Sequence, residues 1–222
     1  MANPPPQARP RGTKSTRANG DQTRDKILNA AERLFGEHGF ANVSLRDITR
    51  AAEVTLALAS YHFRTKENLF EAVVARRAAR LGDERLRRLE ALQDPDTRAI
   101  LDAFMAPLFE MAALDDPGMS AYLRLLARLG EGDDWLPLLE RYYDGVGQIF
   151  LARLLEKSAG ALPDAVARGF AMALQAMLAT VSQNGRVTTL TGGKVTAKDL
   201  QSAYPALLDF CTAGISALMA QH

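Results

Sequence analysis

VSLRDITRAAEVTLALASYHF, residues 43–63, decides the fold. Ser44 followed three residues later by Asp47 has the form of a helix N-cap with a reciprocal acid, although Glu or Gln is the usual partner there. Leu45, Ile48 and Ala52 then make a short apolar stripe. Glu53-Val54 reads as a tight turn, and Thr55 caps a third, short helix that ends near His62-Phe63. Two short helices joined by so brief a turn have helix-turn-helix geometry, in which the second helix enters a major groove about 12 Å wide. Thr55–Ser60 suits that task, since it has neither a charge nor a bulky aromatic. Tyr61, His62, Arg64 and Lys66 follow at once and carry groups that bind phosphate oxygens.

Upstream, Ile27, Leu28, Ala31, Leu34 and Phe35 line one face of a helix starting near Asp21, and Gly39 is placed to end it in the left-handed conformation. Downstream, Lys66 opens a long helix through Leu69, Phe70, Val73, Val74 and Leu81. Further helices are predicted over 96–113, 117–130, 133–158, 163–184 and 197–220, about nine in all. Pro107 and Pro205 fall inside two of these patterns and are expected to kink or split them. The β-like run Gly185–Leu190 is the one strand signal, so the fold class is all-α. Residues 1–20, with three consecutive prolines, four basic groups and no acid, read as a basic disordered arm.

The chain has 222 residues with a formal net charge of +1. That value hides a split. Residues 1–80 carry 14 Lys/Arg against 8 Asp/Glu, a net of +6, and residues 81–222 carry 13 against 18, a net of −5. A basic N-terminal module that binds a polyanion, joined to an acidic one that does not, fits the split. No run of 18 apolar residues is present, and no apolar segment of a secretory signal follows the first residues. With Cys211 the sole cysteine, no intramolecular disulfide is available, and a cytoplasmic location without membrane contact is expected.

Residues 23–69 resemble the N-terminal domain of the TetR family of bacterial transcriptional regulators. The resemblance runs through Thr23–Ala31, Leu34-Phe35, Gly39-Phe40, Val43–Ile48, Ala51-Ala52, Val54, Tyr61-His62-Phe63 and Lys66–Phe70. Ala57 and Ser60 depart from the Gly and Tyr of many members, and a subgroup with an Asn-Leu-Ala-Ala-Val-Asn-Tyr-His-Phe helix is nearer. The resemblance implies that Ser44, Tyr61, His62 and Lys66 touch phosphates and that Arg46, Thr55, Leu56, Ala57 and Leu58 face base edges of double-stranded operator DNA. Ser60 completes the candidate DNA-binding set. Without Lys or Arg in the recognition helix, bidentate guanine readout from it is unavailable, which leaves thymine methyls and Arg46 as sources of specificity.

For the remainder, the resemblance implies a small-molecule pocket and a homodimer interface, giving domains at 21–66 (helix-turn-helix) and 67–222 (ligand binding and dimerisation). Candidate pocket residues are Phe104, Leu108, Met111, Leu126, Trp135, Phe150, Met172 and Met177, with Arg124 or Asn184 as polar anchors. An ordinary core stripe is the alternative for these residues. The last two long helices are the candidate interface, through Gly169, Ala171, Ala173, Ala176 and Ala179 and through Leu207, Leu208, Phe210, Ile215 and Leu218. An intramolecular helix pair accounts for the same pattern. Thr189–Lys194 and Leu208–Ile215 are similar to branches answering fatty acids or acyl-CoA, which makes a small apolar or amphipathic effector the expected ligand. Histidines at 38, 62 and 222 have no metal-ligand spacing, so no metal, cofactor or catalytic residue is expected, and an enzyme is disfavoured. A ligand-independent activator or architectural DNA-binder is the remaining rival.

Overall fold

The structure is a computed structural model and describes residues 13–114, 116, 118–130, 132–158 and 162–220. Helix α1 spans Thr13–His38, α2 Leu45–Ala51, α3 Leu56–Phe63 and α4 Lys66–Ala91. Local chemistry sets each boundary. Gly39 takes φ +80° and donates its N–H to the Phe35 carbonyl at 2.9 Å. Ser44 and Asp47 form the reciprocal cap of α2, and the Thr55 and Thr65 hydroxyls accept from Leu58 and Asn68 at the starts of α3 and α4. Residues 1–12 of the expected arm lie outside the described residues. From Thr13 the arm is helical instead, because no proline interrupts the hydrogen-bond ladder between Thr13 and Gly20.

The rest of the described chain is α5 (Thr97–Ala113), α6 (Met119–Leu129), a 3-10 turn (Asp133–Trp135), α7 (Leu136–Leu139), a π-helical segment (Glu140–Asp144), α8 (Gly145–Lys157), α9 (Pro163–Val181), α10 (Arg186–Leu190) and α11 (Leu200–Met219). Three expectations need correction. The β-like run is α10, one turn closed by the Thr189 and Thr191 hydroxyls on upstream carbonyls, with no strand beside it to pair with among the described residues. Pro107 and Pro205 split neither α5 nor α11, each of which continues through its proline. In α5 the Phe104 carbonyl, one turn before Pro107, accepts from the Arg85 Nε at 2.7 Å, so the disturbed stretch of backbone finds a side-chain donor. The segment 133–158 changes helical pitch three times on the way.

One apolar core runs from Ile27 on α1 to Ile215 on α11. Near the first three helices, Phe35, Phe40 and Phe70 meet with ring centroids 4.9–5.7 Å apart. Trp135 closes this group, 5.3 Å from Phe40 and 4.7 Å from Phe70. It therefore belongs to the junction between the N-terminal helices and the remainder, not to a ligand pocket. The 3-10 turn carries it back onto α4 and the loop that follows α1. Farther along, Phe104 packs against Phe150 and Phe170 at 5.0 and 5.3 Å.

Helix α6 crosses α1 so closely that a Cβ on Gly36 would lie 2.2 Å from the Ala121 carbonyl oxygen. Both neighbours there are backbone, which cannot rotate away. Gly36→Ala is expected to reduce unfolding free energy by about 1–3 kcal/mol through overpacking. Urea denaturation of the variant against the parent chain measures it.

Candidate functional site

Helix α3 buries Ala59 and Phe63 and leaves the rest of its surface outward. Leu56, Ala57, Leu58, Ser60 and Tyr61 are exposed, Tyr61 to 81%. Exposed leucines at 56 and 58 with a free aromatic tip form a slim, uncharged and weakly hydrated ridge. His62 is half-buried between the rings of Tyr61 and Phe63. Thr55 is exposed and Arg46 projects from α2 into solvent. The Ser44 hydroxyl is held by Asp47, whose carboxyl sits below its ordinary value mainly because the hydroxyl donates to it. Lys66 is only half-exposed: its Nζ donates to the Phe40 carbonyl at 3.1 Å and lies 4.1 Å from the Phe40 ring centroid. One of its three donors is thus committed to folding, and the others remain for a phosphate.

The structure also assembles a charged cluster that periodicity did not single out. Glu32, 1% exposed, accepts from Arg76 Nη2 at 2.9 Å and from Arg77 Nε and Nη2 at 2.8 Å each. Arg77 Nη1 reaches Asp116 at 2.6 Å. The paired carboxylates hold the Arg77 guanidinium well above its ordinary value, and Arg77 in turn lowers Asp116. Three elements thus meet in one ion cluster: α1, α4 and the segment leading into α6. The sequence signal was available, since Glu32 stands one turn after Leu28 on the face that buries α1.

The expected pocket residues do not gather into one cavity. Phe104, Leu108, Leu126, Phe150 and Met177 are closed within the core. Met111 is also buried and edges a groove between α4 and α5 lined by Arg76, Arg80, Glu84 and Glu110. Met172 is 67% exposed on α9 and Asn184 is exposed beyond its end, so neither lines the interior. Their face of α9 turns away from the helices packed against it. Arg124 is half-buried on α6. A cation does enter this core, but it is Arg85. It is 4% exposed and stands over the Phe104 ring at 3.7 Å from the centroid. Burial pulls its guanidinium down to about 10, which leaves it charged at neutral pH. Arg85 sits between Leu81 and Leu89 on the buried stripe of α4, a charge where the pattern calls for an apolar residue.

A slim exposed helix behind a capped partner, followed by a large helical body with a buried polar centre, defines a DNA-binding regulator with an appended sensing domain. The profile described as Bacterial regulatory proteins, tetR family, matches residues 27–73, and that described as Tetracyclin repressor-like, C-terminal domain, matches 102–214. The chain belongs to the TetR family of transcriptional regulators, which are not enzymes. Over 53 residues it is 42% identical to the probable HTH-type transcriptional regulator YttP of Bacillus subtilis, a match covering 24% of this chain and 26% of that one. Two solved structures share the fold. The fatty acid degradation regulator FadR of Bacillus halodurans superposes with TM-score 0.63 at 17% identity, over 86% of this chain and 98% of its own. SmeT, the repressor of the Stenotrophomonas maltophilia multidrug efflux pump SmeDEF, gives 0.61 at 22%, over 88% and 91%. Among the described residues no helix is long and apolar enough to cross a membrane, and no cluster of metal-ligating side chains is present.

The Glu32 cluster sets two expected outcomes. Glu32→Gln takes the carboxylate away from Arg76 and leaves Arg77 with Asp116 alone, in a site that is mostly closed to water, and a loss of about 3–5 kcal/mol in unfolding free energy is expected. Asp116 has a lowered value, so its stabilisation is complete above the ordinary 3.8 and disappears as pH falls from there through its folded value. Acid titration of unfolding should therefore be shallower in Asp116→Asn than in the parent chain below pH 3.8.

Proposed function

We propose that the chain is a homodimeric repressor that sits on a palindromic operator and leaves it when a small apolar or amphipathic molecule binds the C-terminal domain. The observation that carries this is the exposed ridge of α3, an element whose apolar outer face serves no packing purpose within the chain. Leu56, Ala57 and Leu58 meet thymine methyls, Arg46 reaches base edges from α2, and Ser44, Thr55, Ser60, Tyr61, His62 and Lys66 secure the backbone. SmeT, with the same fold, is itself described as a repressor. The sequence likeness around Thr189–Lys194 favours an acyl-bearing effector. The domains divide near residue 66, with the protein acting in the cytoplasm.

Dimerisation supplies the second half-site, normally about 34–36 Å from the first or a multiple of that. The exposed sides of α9 and α11 support it, with Met172 at 67% and Phe210 at 72% exposure beside the small Ala171 and Ala179. Other members of the expected interface point inward. A Cβ on Gly169 would lie 2.7 Å from Leu218 Cδ1, and Leu207, Leu208 and Ile215 are buried in the α9–α11 contact. Helix α4 acts as the lever. It begins beside the DNA-facing helices and ends among α5 and α8, so a ligand that shifts its preferred tilt changes the spacing of the two α3 helices. A coupling of about 1–3 kcal/mol suffices.

A gel shift on DNA upstream of the chain's own gene, run across a salt series with and without effector candidates, tests the reading. Salt-steep binding abolished by a ligand is expected, and binding indifferent to every ligand would mark an architectural protein. Arg46→Ala should cost about 1–3 kcal/mol on the operator and little on scrambled DNA. Equal weakening on both would make Arg46 a phosphate contact. Met172→Glu with Phe210→Glu should shift sedimentation from dimer to monomer.

A further inference from the structure

Arg85 is a buried cation without an anion. Among the described residues no carboxylate lies within 4.0 Å of it, although nine other arginines and lysines pair with acids there. Its partners are neutral: the Phe104 carbonyl at 2.7 Å, the Met177 thioether at 3.8 Å from Nη2, and the face of the Phe104 ring. A carbonyl and a ring quadrupole orient a guanidinium but leave its charge uncompensated, and an uncompensated buried charge is costly. A packing role alone would be filled better by Leu or Met at the same position between Leu81 and Leu89.

Two further features converge on the same place. Tyr122 of α6 and Tyr143 face each other with hydroxyl oxygens 2.8 Å apart, and the two phenols favour the charged form of Arg85 against its burial. Burial pushes Tyr122 up to about 12 and Tyr143 upward as well, so both are neutral. One hydroxyl donates to the other, and the second phenolic proton has no acceptor among the described residues. Tyr143 is delivered by the π-helical segment Glu140–Asp144. Such segments break α-helical regularity at a cost and recur at functional sites. Here Arg141 and Tyr142 of the same segment are anchored on Glu71 of α4 at 2.5 and 2.7 Å, which fixes its inward turn. Around this polar centre the walls are Phe104, Phe150, Phe170 and Met177.

We infer that Arg85, with the Tyr122–Tyr143 pair, is the anchor of an effector site for a monoanionic carboxylic acid with a compact apolar body. The carboxylate takes the place of the Met177 thioether at the guanidinium, a soft contact on a flexible side chain, and accepts a hydrogen bond from the spare phenolic O–H. The hydrocarbon part lies against the three phenylalanines. A free acid suits this anchor and an acyl-CoA does not, because a thioester offers Arg85 no charge and its bulky multiply charged head would be buried too; the acid enters by parting Phe104, Phe150 and Phe170, which pack on one another in this structure. The inference rests on the ligand-responsive reading above and names the chemistry of its ligand.

Calorimetry on the full dimeric chain tests it, with octanoate and 4-phenylbutyrate as probes against their primary amides and against octylammonium. The acids are expected to bind about tenfold or more tighter than the amides. Arg85→Gln keeps a donor for the Phe104 carbonyl without the charge and should bring acid and amide to parity, whereas Arg85→Lys should retain the preference for the acid. Circular dichroism checks that the variants are folded, and the acid–amide comparison on the unaltered chain stands without them. Amides binding as tightly as acids, no acid binding, or an acid preference that survives in folded Arg85→Gln overturns the anchor. The same probes in the gel shift separate the two claims. Acid binding that leaves DNA affinity unchanged upholds the anchor and removes the ligand-responsive reading. Release from DNA by amide or ammonium alone upholds that reading and removes the anchor.

Discussion

The carboxylate of Glu32 determines how the two halves of the molecule sit on each other. Two adjacent guanidinium groups on α4 converge on it, and the second of them extends to Asp116 ahead of α6. Ion clusters taken out of water add little net stability when compared with apolar packing, but they tolerate few geometries. Slide α1 along α4 by a turn and the carboxylate loses both partners while remaining buried. The cluster therefore fixes register more than it adds strength. Beneath it the Phe35–Phe40–Phe70–Trp135 group supplies the apolar area, and Arg128 reaches back from α6 to the Phe35 and Glu37 carbonyls at the end of α1. The DNA-facing helices are thus held to α4 and α6 by contacts that are specific in direction.

Helix α4 carries arginines in three settings. Arg77 is saturated by carboxylates, and Arg88 bridges Glu84 and Glu110 at the rim. Arg85, two turns beyond Arg77, has no acid. One rigid rod thus links a locked charge beside the DNA-binding helices to an unlocked one in the middle of the sensing domain. Coupling between distant sites requires an element whose position both sites bias, and a helix pinned at one end by ion pairs meets that requirement.

The N-terminal helices were legible because what defines them is local. Ser44, Thr55 and Gly39 act within four residues of themselves, and the stripe from Ile27 to Phe35 states which face is buried. The family of the DNA-binding part could be read from the same residues. Trp135 was not legible as a junction residue, because its partners Phe40 and Phe70 are far away in sequence and meet it only through a 3-10 turn. The π segment has no compositional mark, since it is the Glu71 contact that selects its pitch. Met172 and Met177 lie five residues apart on one helix, and periodicity alone does not say which of them meets solvent. Arg85 and Glu32 did leave a trace, each a charge on an apolar stripe. Only the fold shows that one has a partner and the other has none.

The exposed, uncharged ridge of α3 belongs to the basic part of the chain, since residues 1–80 carry a net +6 and residues 81–222 a net −5. A charge divided in this way along the chain gives the molecule an electric dipole. In the field of a nucleic acid it feels a torque before it feels contact, and it turns until the ridge leads. The fraction of encounters that arrive in a usable orientation rises accordingly, and with it the association rate. This pre-alignment reaches only about a Debye length, near 8 Å at physiological ionic strength. A regulator so built searches DNA already facing the right way.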